Sequence, residues 1–335
     1  MSPGAGMAQA ASMASVASLA AGILKGDPRL LARAMSLVEN GEPEAEAILE
    51  ALYGKKPAAP RIGFTGPPGA GKSTLVAEYT RLVRAEGTQV GVVAVDPTSP
   101  FTGGAILGDR VRMMEHATDP RVFIRSMATR GSLGGLAART GELCELLDAW
   151  GSGLTLIETV GVGQSELDVA ESADTTVVIL TPESGDAIQA LKAGLMEIAE
   201  VIVLNKADHA GADAMEAALR ASLAFRPEGY RPPIVRTVAT ARAGLDQLHA
   251  ALREHRDYAN RPDVAGPRRR EKVRARIRTA VREGLLDAWL RRRGLEESLN
   301  DVTEDVIAGR TSPYRAARAL IERMTHGERS HGNAS

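Results

Sequence analysis

The stretch GFTGPPGAGKST, residues 63–74, restricts the possible folds of this chain more than any other part of it. Between Gly66 and Gly71 it holds three Gly and two Pro, and Lys72, Ser73 and Thr74 follow at once. Turn formers at that density suit neither a strand nor a helix interior. The preceding PRIGF reads as a short buried strand, and TLVAEYTRLV places Leu75, Tyr79, Leu82 and Val83 on one helical face. The loop therefore joins strand to helix. Gly66, Pro67, Pro68, Gly69, Ala70, Gly71, Lys72 and Ser73 fit G-x-x-x-x-G-K-[ST], with Thr74 next; at this spacing backbone N–H groups turn inward around anionic oxygens, and the helix N-terminus adds partial positive charge. Lys72 is expected to reach the β- and γ-phosphates of a nucleotide, and the Ser73 hydroxyl to bind Mg²⁺. An ordinary glycine-rich turn is the alternative, and the flanking strand and helix weigh against it.

From residue 61 apolar strands alternate with amphipathic helices. Strands are expected at 61–65, 88–95, 121–126, 153–158, 174–181, 200–204 and 234–239. Helices of period 3.6 are expected around 73–86, 133–149, 186–198, 212–224 and 244–257. The pattern predicts an α/β fold, a mostly parallel sheet covered by helices on both faces, with ligands at the carboxyl ends of the strands. Ahead of it, DPRLLARAMSLVENGEPEAEAILEALYG holds two short helices, the first capped by Asp27 and the second started by Pro43. Behind it, YANRPDVAGPRRR reads as a linker. A helix then follows with Val273, Ile277, Val281, Leu285 and Trp289 at spacings of four. Eleven Lys or Arg fall between 268 and 293. The missing aromatics and the apolar stripe favour packing or dimerisation over nucleic acid. The expected divisions are a mobile tail at 1–24, a helical segment at 25–57, the phosphate-loop domain at 58–260, a helical arm at 261–326 and a disordered tail at 327–335.

The strand at 200–204 runs into LNKAD. Asp208 is placed there to accept both the N1–H and the 2-amino group of guanine, with Asn205 supporting the neighbouring loop and the Lys206 stem covering the base. The competing reading is a helix cap ahead of HAGADAMEAAL. Three carboxylates fall near strand ends on the phosphate side: Asp96, Asp109 and Glu158. Mg²⁺ takes oxygen ligands and keeps several waters, so Ser73, phosphates and one or two of these suffice. In ETVGVGQSE, Gly161 is a candidate N–H donor to the γ-phosphate and Gln164 a candidate to orient water.

Composition narrows the classes. Across 335 residues the formal net charge is −1, which argues against a protein wrapped by nucleic acid. The single cysteine, Cys144, excludes an intramolecular disulfide and fits a reducing compartment, as a buried inert thiol. The first 24 residues carry no charge, so neither a secretory signal nor a transit peptide is read there, and Gln9, Ser12, Ser15 and Ser18 interrupt any membrane span. A mobile or loosely helical tail on a cytoplasmic protein is expected.

Six stretches together resemble the MeaB/ArgK-type GTPases, G-protein chaperones associated with methylmalonyl-CoA mutase: GFTGPPGAGKST, AVDPTSPFTGGAILGDRVRM, FIRSMATRGSLGGLAART, ETVGVGQSE, ESGDAIQALKAGLMEIAEVIVLNKAD and SPYRAARAL. The resemblance covers about residues 25 to 325. It implies a P-loop GTPase fold, a homodimer whose arm is the C-terminal helical segment, and a partner, an adenosylcobalamin-dependent acyl-CoA mutase. The partner carries the cobalamin; GTP binding and hydrolysis govern its loading and protection. Residue by residue it implies Lys72 and Ser73 at phosphate and Mg²⁺, Asp96, Asp109 and Glu158 in the metal shell, and Asn205, Lys206 and Asp208 at guanine. ESGDAIQALKAG is implied to be a switch read by the mutase, through Asp186, Gln189 and Lys192; an ordinary surface helix is the alternative.

Two departures stand out. Val238, Ala239 and Thr240 replace the family's Ser-Ala-Leu, where a backbone N–H is expected to meet guanine O6, and Arg242, Ala243 and Gly244 replace its Gly-x-Gly. Three rival functions stand beside this reading: a nickel-type metallochaperone GTPase, which would need clustered His or Cys, a small-molecule kinase, which Asp208 opposes, and a pure scaffold. Free hydrolysis is expected to be slow, because Val162 and Gly163 separate Gly161 from Gln164 and because Arg110, Arg112 and Arg130 lie in Gly-rich surroundings.

Overall fold

The computed structural model describes residues 3–96, 114–116, 118–128, 136–159, 165–182, 194–224, 229–290 and 295–326. Seven strands form one sheet: β1 Arg61–Thr65, β2 Val90–Asp96, β3 Val122–Ala128, β4 Leu154–Thr159, β5 Thr175–Leu180, β6 Val201–Leu204 and β7 Ile234–Arg236, in the order β3-β2-β4-β1-β5-β6-β7. Every neighbouring pair is parallel. Each expected strand is found, within a few residues at its ends. Parallel pairing brings all seven carboxyl ends to one edge, and the loops after β1, β6 and β7 meet there beside the end of β4.

Twelve helices fall among the described residues: α1 Pro3–Leu24, α2 Pro28–Asn40, α3 Ala45–Leu52, α4 Lys72–Ala85, α5 Leu136–Trp150, α6 Ser165–Ser172, α7 Leu195–Ile198, α8 Ala212–Leu223, α9 Leu245–Ala259, α10 Pro262–Leu290, α11 Leu295–Ile307 and α12 Pro313–His326. Alternation along the strands divides the core. In β1, Ile62 and Phe64 pack with Leu75, Val76 and Tyr79 of α4 and with Leu248 of α9. The other face must let α6 approach closely, and Gly63 allows it: a Cβ there would meet Val169 at 2.3 Å. Beneath that face Val93, Val95 and Ile157 join Leu143, Leu146 and Leu147 of α5. A third cluster packs Val178, Leu180, Ile202 and Leu204 against α7 and α8.

One alternative is selected and one expectation corrected. Of the mobile and loosely helical readings of the N-terminal stretch, residues 3–24 take the helical one as α1, and Val16, Leu19, Ala20 and Ile23, at helical spacings of three and four, are buried against Leu31, Met35, Ile48, Leu146 and Trp150. Burying a side chain such as Ile23 contributes roughly 1.5–3 kcal/mol. Trp150 Nε1 donates to the carbonyl of Gly26 at 3.0 Å, fixing the turn into α2. There Asp27 Oδ1 accepts from Arg29 N at 2.8 Å and Leu30 N at 3.2 Å, the cap read from the sequence. The stretch YANRPDVAGPRRR is not an open linker. It is helical apart from a short break between α9 and α10, with Pro262 at the start of α10 and Pro267 inside it.

The chain divides into units Met1–Lys272 and Val273–Ser335. In the second, Ala316 and Leu320 are buried, while Val273, Ile277 and Val281 are exposed at 47%, 58% and 54%. Leu285 and Trp289 belong to α10, and their side chains lie outside the described ones. No helix among the described residues is long and apolar enough to cross a membrane.

Candidate nucleotide site

β1 ends at Thr65 and α4 begins at Lys72, so the glycine-rich loop spans the six residues expected of it. Its glycines adopt backbone angles that L side chains avoid: φ is +143° at Gly66, +79° at Gly69 and +87° at Gly71. Space is also short. A Cβ on Gly66 would stand 2.1 Å from the carbonyl oxygen of Ile179. Lys72 is buried, its ammonium donating to the carbonyls of Gly66 at 2.8 Å and Pro67 at 2.9 Å. The Ser73 hydroxyl donates to Glu158 Oε1 at 2.5 Å, and both residues are buried. Thr65 and Thr159, at the ends of adjacent strands, bond through their hydroxyls at 3.2 Å.

Asn205 ties the opposite wall to the loop. Its side-chain amide donates to the carbonyl of Ala70 at 2.8 Å, and its Oδ1 accepts from the Thr237 hydroxyl at 3.0 Å and Ala239 N at 3.2 Å. At 2% exposure the side chain is internal, and it holds three segments together. Lys206 follows at φ +53°, an uncommon angle for a residue with a side chain. Asp208 is exposed and does not cap α8, whose N-cap is Gly211. The helix-cap alternative for Asp208 is thereby removed.

A cleft of about 550 Å³ opens over these groups. It is lined by the loop residues Pro68, Gly69 and Gly71 to Thr74, by Glu158 and Thr159, by Asn205, Lys206, Asp208 and His209, and by Val238, Ala239 and Thr240. Residues separated by up to 172 positions along the chain thus share one concave surface, with α4 pointing its N-terminus into it. Such a helix end favours an anion. Sequence reasoning passed over Thr159 and His209, although each directly follows a residue it had chosen. Asp96 closes β2, and its side chain lies outside the described ones. Asp109, Gly161, Gln164, Asp186, Gln189, Lys192, Arg110, Arg112 and Arg130 lie outside the described residues. Among the described residues no cluster of three or more His, Cys, Asp or Glu stands ready for a metal ion. Cys144 is buried in α5, and burial pushes its thiol up to about 11, as an inert core thiol requires.

A seven-stranded parallel sheet with a glycine-rich loop leading into a helix N-terminus defines a P-loop nucleoside triphosphatase. Residues 31–293 match the family model for the methylmalonyl-CoA mutase-associated GTPase MeaB. The chain is 46% identical over 311 residues to a Pyrococcus abyssi protein named a GTPase by inference, an alignment covering 90% of this chain and 95% of that one. It is 32% identical over 324 residues to the mouse protein named methylmalonic aciduria type A homolog, mitochondrial, with 90% and 77% covered. Among solved structures, the crystal structure of a protein named LAO/AO transport system kinase superposes with a TM-score of 0.68 at 26% identity, covering 93% of this chain and 98% of the other. The chain belongs to the MeaB family and is a GTPase.

Proposed function

We propose that this GTPase is the nucleotide-driven chaperone of an adenosylcobalamin-dependent acyl-CoA mutase, gating cofactor loading and protecting the mutase from inactivation. The observation that carries the nucleotide half of this reading is the single cleft in which the phosphate loop, the Asn205–Asp208 segment and residues 238–240 face one another. The mutase half rests on the family alone. In this reading Lys72 exchanges its two carbonyl partners for β- and γ-phosphate oxygens, while the loop N–H groups hold the remaining phosphate charge. Asp208 accepts from N1–H and the 2-amino group of guanine, Lys206 covers the base, and a backbone N–H of the 238–240 turn meets O6.

The donor set fits Mg²⁺: Ser73 Oγ and Glu158 Oε1 are hard oxygens 2.5 Å apart at the phosphate end of the cleft. They would hold the ion, with Asp96 and Asp109 completing its shell through water; when bound, it neutralises charge on the phosphate oxygens. Gly161 offers its N–H to the γ-phosphate and Gln164 orients the attacking water. Asp186, Gln189 and Lys192 report the nucleotide state to the mutase. The exposed stripe of Val273, Ile277 and Val281 pairs two copies into a homodimer in the cytoplasm. The cobalamin stays with the partner.

The test is retention of the mutase from the native cell on this protein loaded with a non-hydrolysable GTP analogue, with Lys72→Ala alongside. A cobalamin mutase should be retained by the parent. Lys72→Ala should lose hydrolysis and bind triphosphate weakly. Absence of any cobalamin enzyme among the retained proteins rejects the chaperone reading, and near-normal turnover of Lys72→Ala rejects the phosphate-loop roles. A kinase reading takes its support from the solved neighbour, which is named a kinase; tighter binding of ADP than GDP would favour it.

A further inference from the structure

The base-side wall of the cleft is held from behind as well as in front. Its turn is closed by a bridge between Val238 and Ala243, with N–H to O distances of 3.0 and 3.2 Å. Residues Ala239–Ala241 form a single 3-10 turn between the bridged residues, and Arg242 N donates to the carbonyl of Ala239 at 3.1 Å, ending that turn. Arg242 has φ +58°, a left-handed angle that disfavours any residue with a Cβ. Gly244, at φ +81°, leaves no room for a Cβ, which would stand 2.0 Å from the Arg236 carbonyl oxygen. In front, Asn205 Oδ1 takes the Ala239 N–H. Behind, Arg242 Nε donates to Glu78 Oε2 at 2.8 Å. Glu78 stands on α4, one and a half turns past Lys72 and Ser73, and its side chain is 14% exposed. The same Oε2 faces Arg81 Nε at 3.4 Å, and Arg81 in turn pairs with Glu115.

An arginine in a left-handed position, where glycine would suit the backbone better, needs a side-chain reason to be there. The ion pair supplies one. It fixes the end of the turn that lines the base pocket to the same helix that carries the phosphate-binding groups, so the spacing between base wall and phosphate loop is set by α4. We propose that Arg242, held by Glu78, is a specificity-determining positioning residue: it keeps the 238–240 turn where its backbone donor meets the O6 of guanine. This rests on the guanine reading of the cleft given above. Arg242 itself lines no part of the cleft and acts through the turn.

The experiment measures dissociation constants for GDP and for the 5′-diphosphate of 2-aminopurine riboside, whose base lacks the O6 of guanine and with it the N1 proton. A change confined to GDP reports the turn, while the parent's own preference reports O6 and N1–H together. The parent is compared with Arg242→Gly, Arg242→Lys, Glu78→Gln and Arg242→Gly/Glu78→Gln. Glycine relieves the backbone angle while deleting the ion pair, so loss of fold is not the expected route to an effect; thermal unfolding of each variant checks this. Arg242→Gly should weaken GDP by about threefold, within the range for a partly exposed ion pair, and leave the 2-aminopurine nucleotide unchanged. Arg242→Lys should recover part of the loss, and the double variant should be no worse than Arg242→Gly. If the ratio of the two constants stays at the parent value in Arg242→Gly, or if the two substitutions add, the proposal is wrong. Should the parent itself fail to prefer GDP over the 2-aminopurine nucleotide, the guanine reading fails with it, an outcome distinct from a preference that the variants retain.

Discussion

Gly71 shows how little freedom the site leaves at one position. Its φ of +87° is strained for any other residue, and a Cβ there would stand 2.4 Å from Asn205 Nδ2, the amide that holds Ala70. Gly71→Ala must move Asn205, and with it Ala239 and Thr237. We expect GDP affinity to fall at least about tenfold, ~1.4 kcal/mol, in titration calorimetry; affinity within twofold of the parent would mean that the loop and Asn205 adjust independently. At Asp208 the chemistry is of acceptors. A carboxylate offers two, an amide one acceptor and one donor. Asp208→Asn should lose GDP and gain xanthosine diphosphate, whose base carries oxygen at position 2. Unchanged preference between the two nucleotides would show that this carboxylate does not read the base.

At the scale of elements, Glu200 joins four pieces of structure at the amino ends of the strands, across β6 from the cleft residues that begin at Asn205. Its Oε2 accepts from Thr176 N of β5 at 2.8 Å, its Oε1 stands 3.3 Å from His255 Nε2 of α9, and the Arg268 guanidinium of α10 pairs with the same oxygen. His255 Nδ1 meets the Thr175 hydroxyl at 2.8 Å. Burial alone would raise the Glu200 carboxyl, but the bond to His255, the His255 and Arg268 charges and the Thr176 amide outweigh it and hold it below the usual carboxylate range. A depressed folded-state value stabilises the fold above the ordinary carboxylate range and is lost as pH falls through it. Glu200→Gln should therefore destabilise the protein by about 1–3 kcal/mol at pH 7, and the difference from the parent should shrink on acidification below about pH 4. Urea unfolding at the two pH values measures it; a difference independent of pH would assign the effect to packing.

The whole molecule raises the question of rate. A GTPase that serves as a timer for a partner gains from slow hydrolysis alone, and the separation of Gln164 from Gly161 by two residues is one reason to expect it. Ordering a loop or supplying a charge from a partner accelerates such reactions by up to ~10³–10⁵. We expect free turnover below about one per second and at least about a tenfold rise, ~1.4 kcal/mol off the barrier, on adding the cognate mutase. Phosphate release from purified protein titrated with cobalamin mutases decides it: equal rates with and without the tightest-binding mutase exclude partner-gated hydrolysis.

Local rules were enough for much of this protein. Short apolar runs and period 3.6 located all seven strands and most helices, because each element's apolar pattern is a property of consecutive residues. The loop from Gly66 to Ser73 was legible for the same reason: its angles belong to its own glycines. The Asp27 cap needed only its neighbours. What contacts distant in sequence decide was not legible. The uncharged stretch 1–24 has weak local pattern, and only the surface offered by α2, α3 and α5 makes its second half core. The proline-containing stretch 258–270, most of which is the start of α10, carries breaker residues, yet Arg268 and the following Lys272 are held through Glu200, Ala173 and Asp174 beside the sheet, and helix forms across it. The bond network of Asn205, and the tie from Arg242 across 164 positions to Glu78, exist because parallel strands deliver their carboxyl ends to one edge. Residue types and spacings named the groups; the topology alone set which of them could touch.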